Sequence, residues 1–348
     1  MIKRRKTRQI KVGNVKIGAG APVSIQSMTN TRTSDVRATV AQIRRLEKAG
    51  CEIIRVAIKD LKDAAAVKAI KRQIRLPIVC DIHFDHRLAL ACIAAGADKI
   101  RLNPGNIKSR EDVVAVVKAA KKARIPIRIG VNSGSAGSSA PEALVKAALS
   151  HVKILEALNF HDIIISLKAS DVVLTIEAYR RMAKICDYPL HLGVTAAGPH
   201  DSGIVKSAIG IGGLLLEGIG DTVRVSLTAD PAEEVAAAKR ILSALGLRRF
   251  GPDIISCPTC GRCQIDLVKI VEEFERALTA YSLKLTAGKP LTVAVMGCEV
   301  NGPGEAREAD VGIAAGKGSG ALFVKGKIVR RVKEKNFVKE LIKEIERL

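Results

Sequence analysis

Eight short apolar runs, rich in β-formers, alternate with helix-patterned segments along the first two-thirds of the chain, and no other feature limits the fold so strongly. The runs are Val23–Ser27, Glu52–Ile58, Ile78–Ile82, Lys99–Asn103, Ile127–Val131, Asp162–Lys168, Leu190–Thr195 and Thr222–Leu227. Near-continuous apolar stretches of this length suit strands buried on both faces of a parallel sheet. The segments between them, such as Val36–Ala49 and Glu111–Ala123, carry apolar residues at helical spacing and often end near Gly. Eight strand–helix units in roughly 240 residues predict a (β/α)8 barrel of the TIM type. A doubly wound open sheet is the alternative, but no G-x-G-x-x-G follows the first run to support it.

Two Gly-punctuated extended pieces (Gln9–Ile17) precede the first run, and Glu233–Leu245 reads as the last barrel helix. Gly246–Asp253, with its Gly and Pro, reads as a linker, so the barrel domain is expected over 1–246 and a small α/β domain over 254–348. That second domain opens with a cysteine motif. A helix is expected at Ile265–Ala280, a strand at Leu291–Met296 and a basic helix at the C-terminus. The Ser/Gly-rich stretch Ser133–Ala140 has the composition of a flexible loop.

Composition bears on the core and on partners. Hydrophobic residues make up 47% of the 348, aromatics only 3%, and Trp is absent, so the core must be built from Ala, Val, Ile and Leu. The net charge of +22 attracts anions: phosphorylated metabolites, nucleic acid or acidic lipid surfaces. Lys3, Arg4, Arg5 and Lys6 form the main basic block, which reads as a disordered tail. No secretory apolar region follows it and no apolar stretch is long enough to span a membrane, so a cytoplasmic protein is expected. Cysteines in such a compartment are thiols or metal ligands. Cys51, Cys80, Cys92 and Cys186 lie singly in apolar segments and read as core residues.

Catalytic groups of such barrels sit at the C-terminal ends of the strands. Read in chain order, those ends carry Gln26 and Ser27; Arg55; Asp81 and His83; Arg101 and Asn103; Arg128 and Asn132; Ser166 and Lys168; His191 and Thr195; and Arg224 and Ser226. Four strands with an Arg and one with a Lys, among few acids, are costly to bury unless something anionic offsets them. Arg presents a planar fork suited to phosphate oxygens, so the ring predicts a phosphate- or diphosphate-binding mouth.

Cys257-Pro-Thr-Cys260-Gly-Arg-Cys263 is a C-x2-C-x2-C run, and Cys298 follows in Met296-Gly-Cys298-Glu-Val-Asn301-Gly-Pro-Gly-Glu305. Thiolates so close together bind soft metals, and the spacing fits a structural zinc site or a cubane iron–sulfur cluster equally well. The C-x3-C-x2-C spacing of radical-SAM enzymes is absent. A basic zinc-containing RNA-binding protein is therefore a competing reading, weakened by the shortage of aromatic residues for base stacking.

Longer motifs carry a specific resemblance. Val23-Ser-Ile-Gln-Ser-Met-Thr29, Asp81-Ile-His-Phe84, Arg101-Leu-Asn-Pro-Gly-Asn106, Arg128-Ile-Gly-Val-Asn-Ser-Gly134, Ser166-Leu-Lys-Ala-Ser-Asp171, His191-Leu-Gly-Val-Thr195, Gly220-Asp-Thr-Val-Arg-Val-Ser226, the Cys257 motif and Met296 through Ala306 occur in that order. Together they resemble the bacterial 4-hydroxy-3-methylbut-2-enyl diphosphate synthase family over nearly the whole chain. The resemblance implies a barrel joined to a domain like the cluster domain of sulfite and nitrite reductases. It implies a [4Fe-4S] cluster held by Cys257, Cys260, Cys298 and Glu305. The implied substrate is 2-C-methyl-D-erythritol 2,4-cyclodiphosphate, with electrons arriving singly from ferredoxin or flavodoxin. Arg55, Arg101, Arg128, Lys168 and Arg224 match the family's diphosphate-binding positions, with Asn132 and Ser226 beside them. A homodimer that shares its active site between subunits is implied too, with no role for nucleic acid or membrane.

Three departures from the family pattern stand out. Cys263 is not a usual family cysteine. The segment after Asn132-Ser-Gly134 is shortened. The glutamate that follows the His191–Thr195 motif, a member of the catalytic set with Glu305 and His83, is Ala196 here. That glutamate is implied to deliver protons, so the chain is expected to turn over slowly, as an impaired or engineered family member, unless water, His83 or His191 has taken over.

Overall fold

The computed structural model describes residues 2–107, 109–132, 140–285, 291–298 and 302–348, without the side chains of Pro104, 279–285, Glu305 and Ala306. The Ser/Gly-rich loop lies, except for Ala140, outside the described residues. The chain divides into two compact units, Met1–Arg248 and Arg249–Leu348.

The first unit opens with an antiparallel hairpin, β1 (Ile10–Val12) and β2 (Val15–Ile17). Eight strand–helix units follow: β3 (Ser24–Met28) and α1 (Val36–Ala49), β4 (Ile53–Ala57) and α2 (Leu61–Lys71), β5 (Ile78–Asp81) and α3 (His86–Ala94), β6 (Lys99–Arg101) and α4 (Arg110–Ala123). Then come β7 (Ile127–Asn132) and α5 (Pro141–Glu156), β8 (Ile163–Lys168) and α6 (Val172–Ile185), β9 (His191–Leu192) and α7 (His200–Leu216), β10 (Thr222–Val223) and α8 (Pro231–Ala244). The strands pair in the order β8-β7-β6-β5-β4-β3-β10-β9, all in parallel. A parallel bridge from Ile165 to Leu190 joins the two ends of that row and completes the barrel.

Local chemistry fixes where each βα loop gives way to its helix. Asp35, Asp60, Asp85, Ser109, Asp171 and Asp230 each accept a backbone N–H of the following first turn. Each cap is worth about 1 kcal/mol and satisfies one donor that the helix cannot. The opposite mouth is plugged: Ile10, Val12 and Ile17 of the hairpin pack on Ile53, Val79 and Ile164 near the starts of their strands. Access to the barrel interior is thus from the C-terminal ends.

The basic block at the N-terminus is not a loose tail. Arg4 Nη2 lies 3.1 Å from Asp221 Oδ1, the Arg5 amide donates to Gly218 O at 2.9 Å, and Arg5 Nη2 donates to Tyr188 O at 2.6 Å. Asp221 is buried and needs a cation, which the block supplies. Three strands stop two or more residues before the C-terminal ends of their apolar runs. β6 stops at Arg101 because the Asn103 side chain takes over the ladder, donating to Gly130 O at 3.0 Å and accepting from Gly130 N at 2.9 Å. β9 and β10 hold two residues each, so Thr195, Arg224 and Ser226 sit on loops just beyond the sheet. Cys51, Cys80 and Cys92 are buried as expected, whereas Cys186 is half-buried at the end of α6.

The second unit is a five-stranded sheet in sequence order: β11 (Asp253–Ser256), β12 (Thr292–Met296), β13 (Val311–Gly316), β14 (Ser319–Val324) and β15 (Lys327–Lys333). The first three strands are parallel and the last two antiparallel. Helices α9 (Leu267–Leu285), α10 (Gly302–Arg307) and α11 (Phe337–Ile345) accompany it. Phe274 of α9 and Phe337 and Leu341 of α11 are buried with Val293, Val295 and Ile313 of the sheet. The terminal helix is of mixed charge rather than basic, since its Glu340 and Glu344 hold Arg330. Among the described residues, no helix is long and apolar enough to cross a membrane.

Candidate active site

The strand ends enclose a cavity of about 120 Å³. Arg55, Arg101, Arg128, Lys168 and Arg224 all line it, as do His83, Asn132 and Ser226. The chain therefore brings together every strand-end residue that the sequence marks for substrate, drawn from β4, β6, β7 and β8 and from the loops after β5 and β10. Ala196 is not among the lining residues, although its neighbour Thr195 is. It sits exposed on the loop after β9 with φ near 50°.

The cations are held in different ways. Among the described residues Asp81 is the one acid lining the cavity, and its carboxylate lies 3.8 Å from Arg55 Nε and 3.5 Å from Arg101 Nη1. Burial alone would raise that carboxyl, but Arg55, Arg101 and Arg128 outweigh it and hold it below the ordinary aspartate value. Arg101 Nη2 also donates to Gly130 O at 2.6 Å, and Arg55 Nε lies 3.0 Å from Met28 Sδ. Arg224 donates through Nη1 to Ser226 Oγ at 2.8 Å and through Nη2 to Glu234 Oε1 at 3.0 Å.

Arg128 differs from the others. It is 2% exposed, and its Nε and Nη2 have no hydrogen-bond partner among the described residues. Burial, then repulsion from Arg55 and Arg101, pushes its guanidinium well below the ordinary arginine value. Lys168 is pressed down likewise, by burial first and then by Arg128, Arg55 and Arg224. A recessed pocket with this surplus of positive charge and unpaired donors is suited to bind a polyanion.

Two glycines leave room for these side chains. A Cβ on Gly130 would lie 2.7 Å from Arg101 Nε, and one on Gly193 would lie 2.7 Å from Lys168 Nζ and 2.5 Å from Arg224 O. Of the two histidines, His83 is exposed and its Nδ1 lies 3.2 Å from Arg101 Nη1. An arginine N–H only donates, so in this contact Nδ1 is the acceptor. His191 is fully buried, and burial with the charges of Lys168 and Arg128 drives its pKa well below the ordinary value. It is a neutral imidazole at pH 7 and no reservoir of an extra proton.

Two residues of this neighbourhood escaped the strand-end reading. Glu234 lies in the first turn of α8, outside the strands, yet its carboxylate reaches Arg224, Ser27 Oγ at 3.3 Å and Leu227 N at 3.1 Å. Lys99 begins β6 and is fully buried beneath the ring. Its signal was the alternation Lys99-Ile-Arg101, which puts both side chains on the same face of the strand.

In the second unit, the two cysteine-bearing segments meet. Gly297 N donates to Cys257 Sγ at 3.2 Å, and Gln264 N donates to Gly297 O at 3.1 Å. Cys260 is exposed; the Arg262 backbone and side chain hold its thiol below the ordinary value, and it feels the charge of Cys298. Cys263 donates to Ile265 O at 3.3 Å, and a Cβ on Gly297 would come within 2.5 Å of its Sγ. Among the described residues, no three Cys, His, Asp or Glu side chains are gathered tightly enough to hold a metal ion. Glu305 lies in α10, its side chain outside the description. The donor set, soft sulfurs on two apposed turns with a carboxylate residue on the next helix, fits an iron–sulfur cluster chemically.

Comparison with known proteins is consistent across the chain. Residues 7–239 match the family model of the GcpE TIM-barrel domain, and residues 253–347 match that of the GcpE protein C-terminal domain. Proteins from Caldanaerobacter subterraneus subsp. tengcongensis and Clostridium perfringens, both named 4-hydroxy-3-methylbut-2-en-1-yl diphosphate synthase (flavodoxin), are each 57% identical to it. The alignments cover 100% of this chain and 99% of the first protein, and 99% of each chain for the second. Among solved structures, dihydropteroate synthase from Stenotrophomonas maltophilia superposes with a TM-score of 0.53 at 16% identity, covering 69% of this chain and 98% of that one. At that identity the likeness is one of barrel fold alone.

Proposed function

The chain belongs to the GcpE family, and from that premise we propose that it converts 2-C-methyl-D-erythritol 2,4-cyclodiphosphate into 4-hydroxy-3-methylbut-2-enyl diphosphate, a step of the non-mevalonate isoprenoid pathway. The observation that carries this reading is the cavity ringed by five cations at the barrel's strand ends, with Arg128 buried and two of its donors unpaired. The zinc-containing RNA-binding alternative loses its ground, because these cations face a small enclosed cavity and not an open surface.

The reaction consumes two electrons and two protons. The ring C–O bond to phosphate breaks, a hydroxyl leaves as water, and a carbon–carbon double bond forms. In this reading Arg55, Arg101, Arg128, Lys168 and Arg224 grip the diphosphate oxygens, and Asn132 and Ser226 add neutral hydrogen bonds. The grip serves the transition state as well as the ground state, because the phosphate released from carbon gains negative charge as the ring opens. Cys257, Cys260, Cys298 and Glu305 would hold a [4Fe-4S] cluster, which supplies single electrons and an iron site open to substrate. An oxygen ligand suits that last role, since a carboxylate leaves iron more readily than a thiolate. His83, exposed at the cavity, is the protonatable side chain placed to serve the departing hydroxyl.

Ala196 removes the family's carboxylate from the loop after β9, which leaves binding intact in this reading and slows the chemistry. Electrons come from flavodoxin, as the relatives' names indicate for those proteins, or from ferredoxin. The working unit is a cytoplasmic homodimer whose barrel cavity is completed by the partner's cluster domain. The direct test is turnover: anaerobic protein loaded with iron and sulfide, a reduced electron carrier and the cyclic diphosphate, followed by phosphorus NMR. Appearance of the linear diphosphate supports the reading. Its absence from protein with a full complement of cluster, both as isolated and with Ala196→Glu, refutes it.

A further inference from the structure

One buried lysine has no part in the reaction just outlined. Lys99 lies two residues before Arg101 on β6, so both side chains face the barrel axis, with Lys99 one layer deeper. It is fully buried, and its Nζ donates to Gln26 Oε1 at 3.3 Å. Gln26 is buried as well, and its Nε2 has no partner among the described residues. The charged and titratable groups that act on Lys99 are Arg55 from β4 and Arg128 from β7, with His191 of β9 feeling its charge in turn. The two buried acids of the site are engaged elsewhere, Asp81 with Arg55 and Arg101, and Glu234 with Arg224.

A buried ammonium among cations and without a carboxylate is strongly disfavoured. Burial, then Arg128 and Arg55, pushes the Lys99 amine well below the ordinary lysine value. A polyanion in the cavity offsets the positive field of Arg55 and Arg128 that Lys99 feels. Resting on the diphosphate reading of the cavity, we infer that Lys99 is a neutral amine on Gln26 in the ligand-free protein and takes up one solvent proton when a diphosphate settles on the ring above it. The new bond is N–H on Nζ; nothing else forms or breaks. Lys99 is thus a positioning residue. The floor of the site becomes charged only when an anion is there to compensate, and the free barrel is spared one more unpaired cation.

The linkage has a definite sign. Bound protein holds one more proton than free protein, so pyrophosphate affinity falls as pH rises between the two Lys99 values, by up to about tenfold per pH unit. Calorimetry of inorganic pyrophosphate binding to the full chain, in buffers of differing ionisation heat, counts the protons. The parent is expected to take up about one proton more than K99M, and the affinity of K99M is expected to lose that share of the pH dependence. K99Q, which keeps a polar group beside Gln26, is the second variant. A measurement that needs no variant is NMR of protein labelled with ¹³C at lysine Cε. A buried lysine signal that moves to the ammonium position on adding pyrophosphate supports the inference, and one already there beforehand overturns it. Equal proton counts in parent and variants also overturn it, while leaving the cavity as an anion site. A parent that does not bind pyrophosphate overturns both readings.

Discussion

Glu234, in the first turn of the last barrel helix, accepts the Arg224 guanidinium at 3.0 Å and so fixes one cation of the cavity from outside the strands. The same carboxylate takes Ser27 Oγ of the neighbouring strand, which ties β3 to the loop that follows β10. Burial raises the Glu234 carboxyl above its ordinary value, and Arg224 works against that rise.

Glu234→Gln keeps the shape and removes the charge. Breaking one side of a buried ion pair costs about 3 kcal/mol, because the other charge stays behind unpaired. The variant is therefore expected to unfold at lower urea concentration and to bind the cyclic diphosphate with a raised KM, since Arg224 loses its anchor. Unchanged urea midpoint and KM would show that Arg224 holds its place without help.

The acid limb of stability depends on Asp81. Its folded pKa is depressed by three arginines, so the unfolded chain takes the proton first as pH falls. The stabilisation is whole above the ordinary aspartate value of about 3.9 and is lost as pH falls through the lower folded value. Asp81→Asn is expected to lower stability at pH 7 and to flatten the stability–pH curve below pH ~4. Urea titrations at a series of acid pH values provide the check, and parallel curves for the two proteins would count against the assignment.

Much of this was readable in the residues. Eight apolar runs announced eight strands, because a strand covered on both faces must be apolar along its length. The cations at their ends were legible for the converse reason: charge inside an apolar run stands out. What stayed hidden depended on partners far apart in sequence. Glu234 looked like any acid in a first helical turn until the fold set it beside Arg224. Arg4 and Arg5 looked like a tail until the buried carboxylate of Asp221 and the Tyr188 carbonyl were placed against them. Lys99 passed as the first residue of a strand because its environment is made by β3, β4 and β7 together. The apolar runs outlast β9 and β10 because past Leu192 and Val223 the backbone bonds become scattered, Arg224 N donating to Leu192 O and Thr195 N to Ala169 O at 3.0 Å each.

Ala196 gives a gain-of-function prediction. Its φ near 50° is already a conformation that L residues adopt with strain, and it is exposed, so a glutamate there adds no new backbone cost and meets no packing. General acid–base groups contribute about 10²–10⁴-fold to rate, and Ala196→Glu is expected to raise kcat within that range, with KM little changed. Both proteins are compared at equal iron content with a reduced dye as electron source. Equal rates would assign the proton to water or to another side chain.

In the proposed reading, the four cysteines of the second unit divide into three cluster ligands and one bystander. Cys263 hydrogen-bonds within its own turn and packs against Gly297, so Cys263→Ser is expected to keep its iron. Serine in place of Cys257, Cys260 or Cys298 is expected to lose most of it. Iron per chain, measured after anaerobic preparation, decides the matter; loss on changing Cys263 alone contradicts the assignment.

The claim on which the rest depends is that the strand-end cavity binds the diphosphate through Arg128. Arg128→Met swaps a buried cation with unpaired nitrogens for an apolar side chain, so folding stability should hold or improve. Calorimetric titration of both proteins with 2-C-methyl-D-erythritol 2,4-cyclodiphosphate measures the loss directly. A hydrogen-bonded charge contact is worth about 1.5–3 kcal/mol, and the account predicts affinity reduced about 10- to 100-fold in a variant that melts no lower than the parent. A variant that is equally well folded and binds the substrate as tightly as the parent would contradict it.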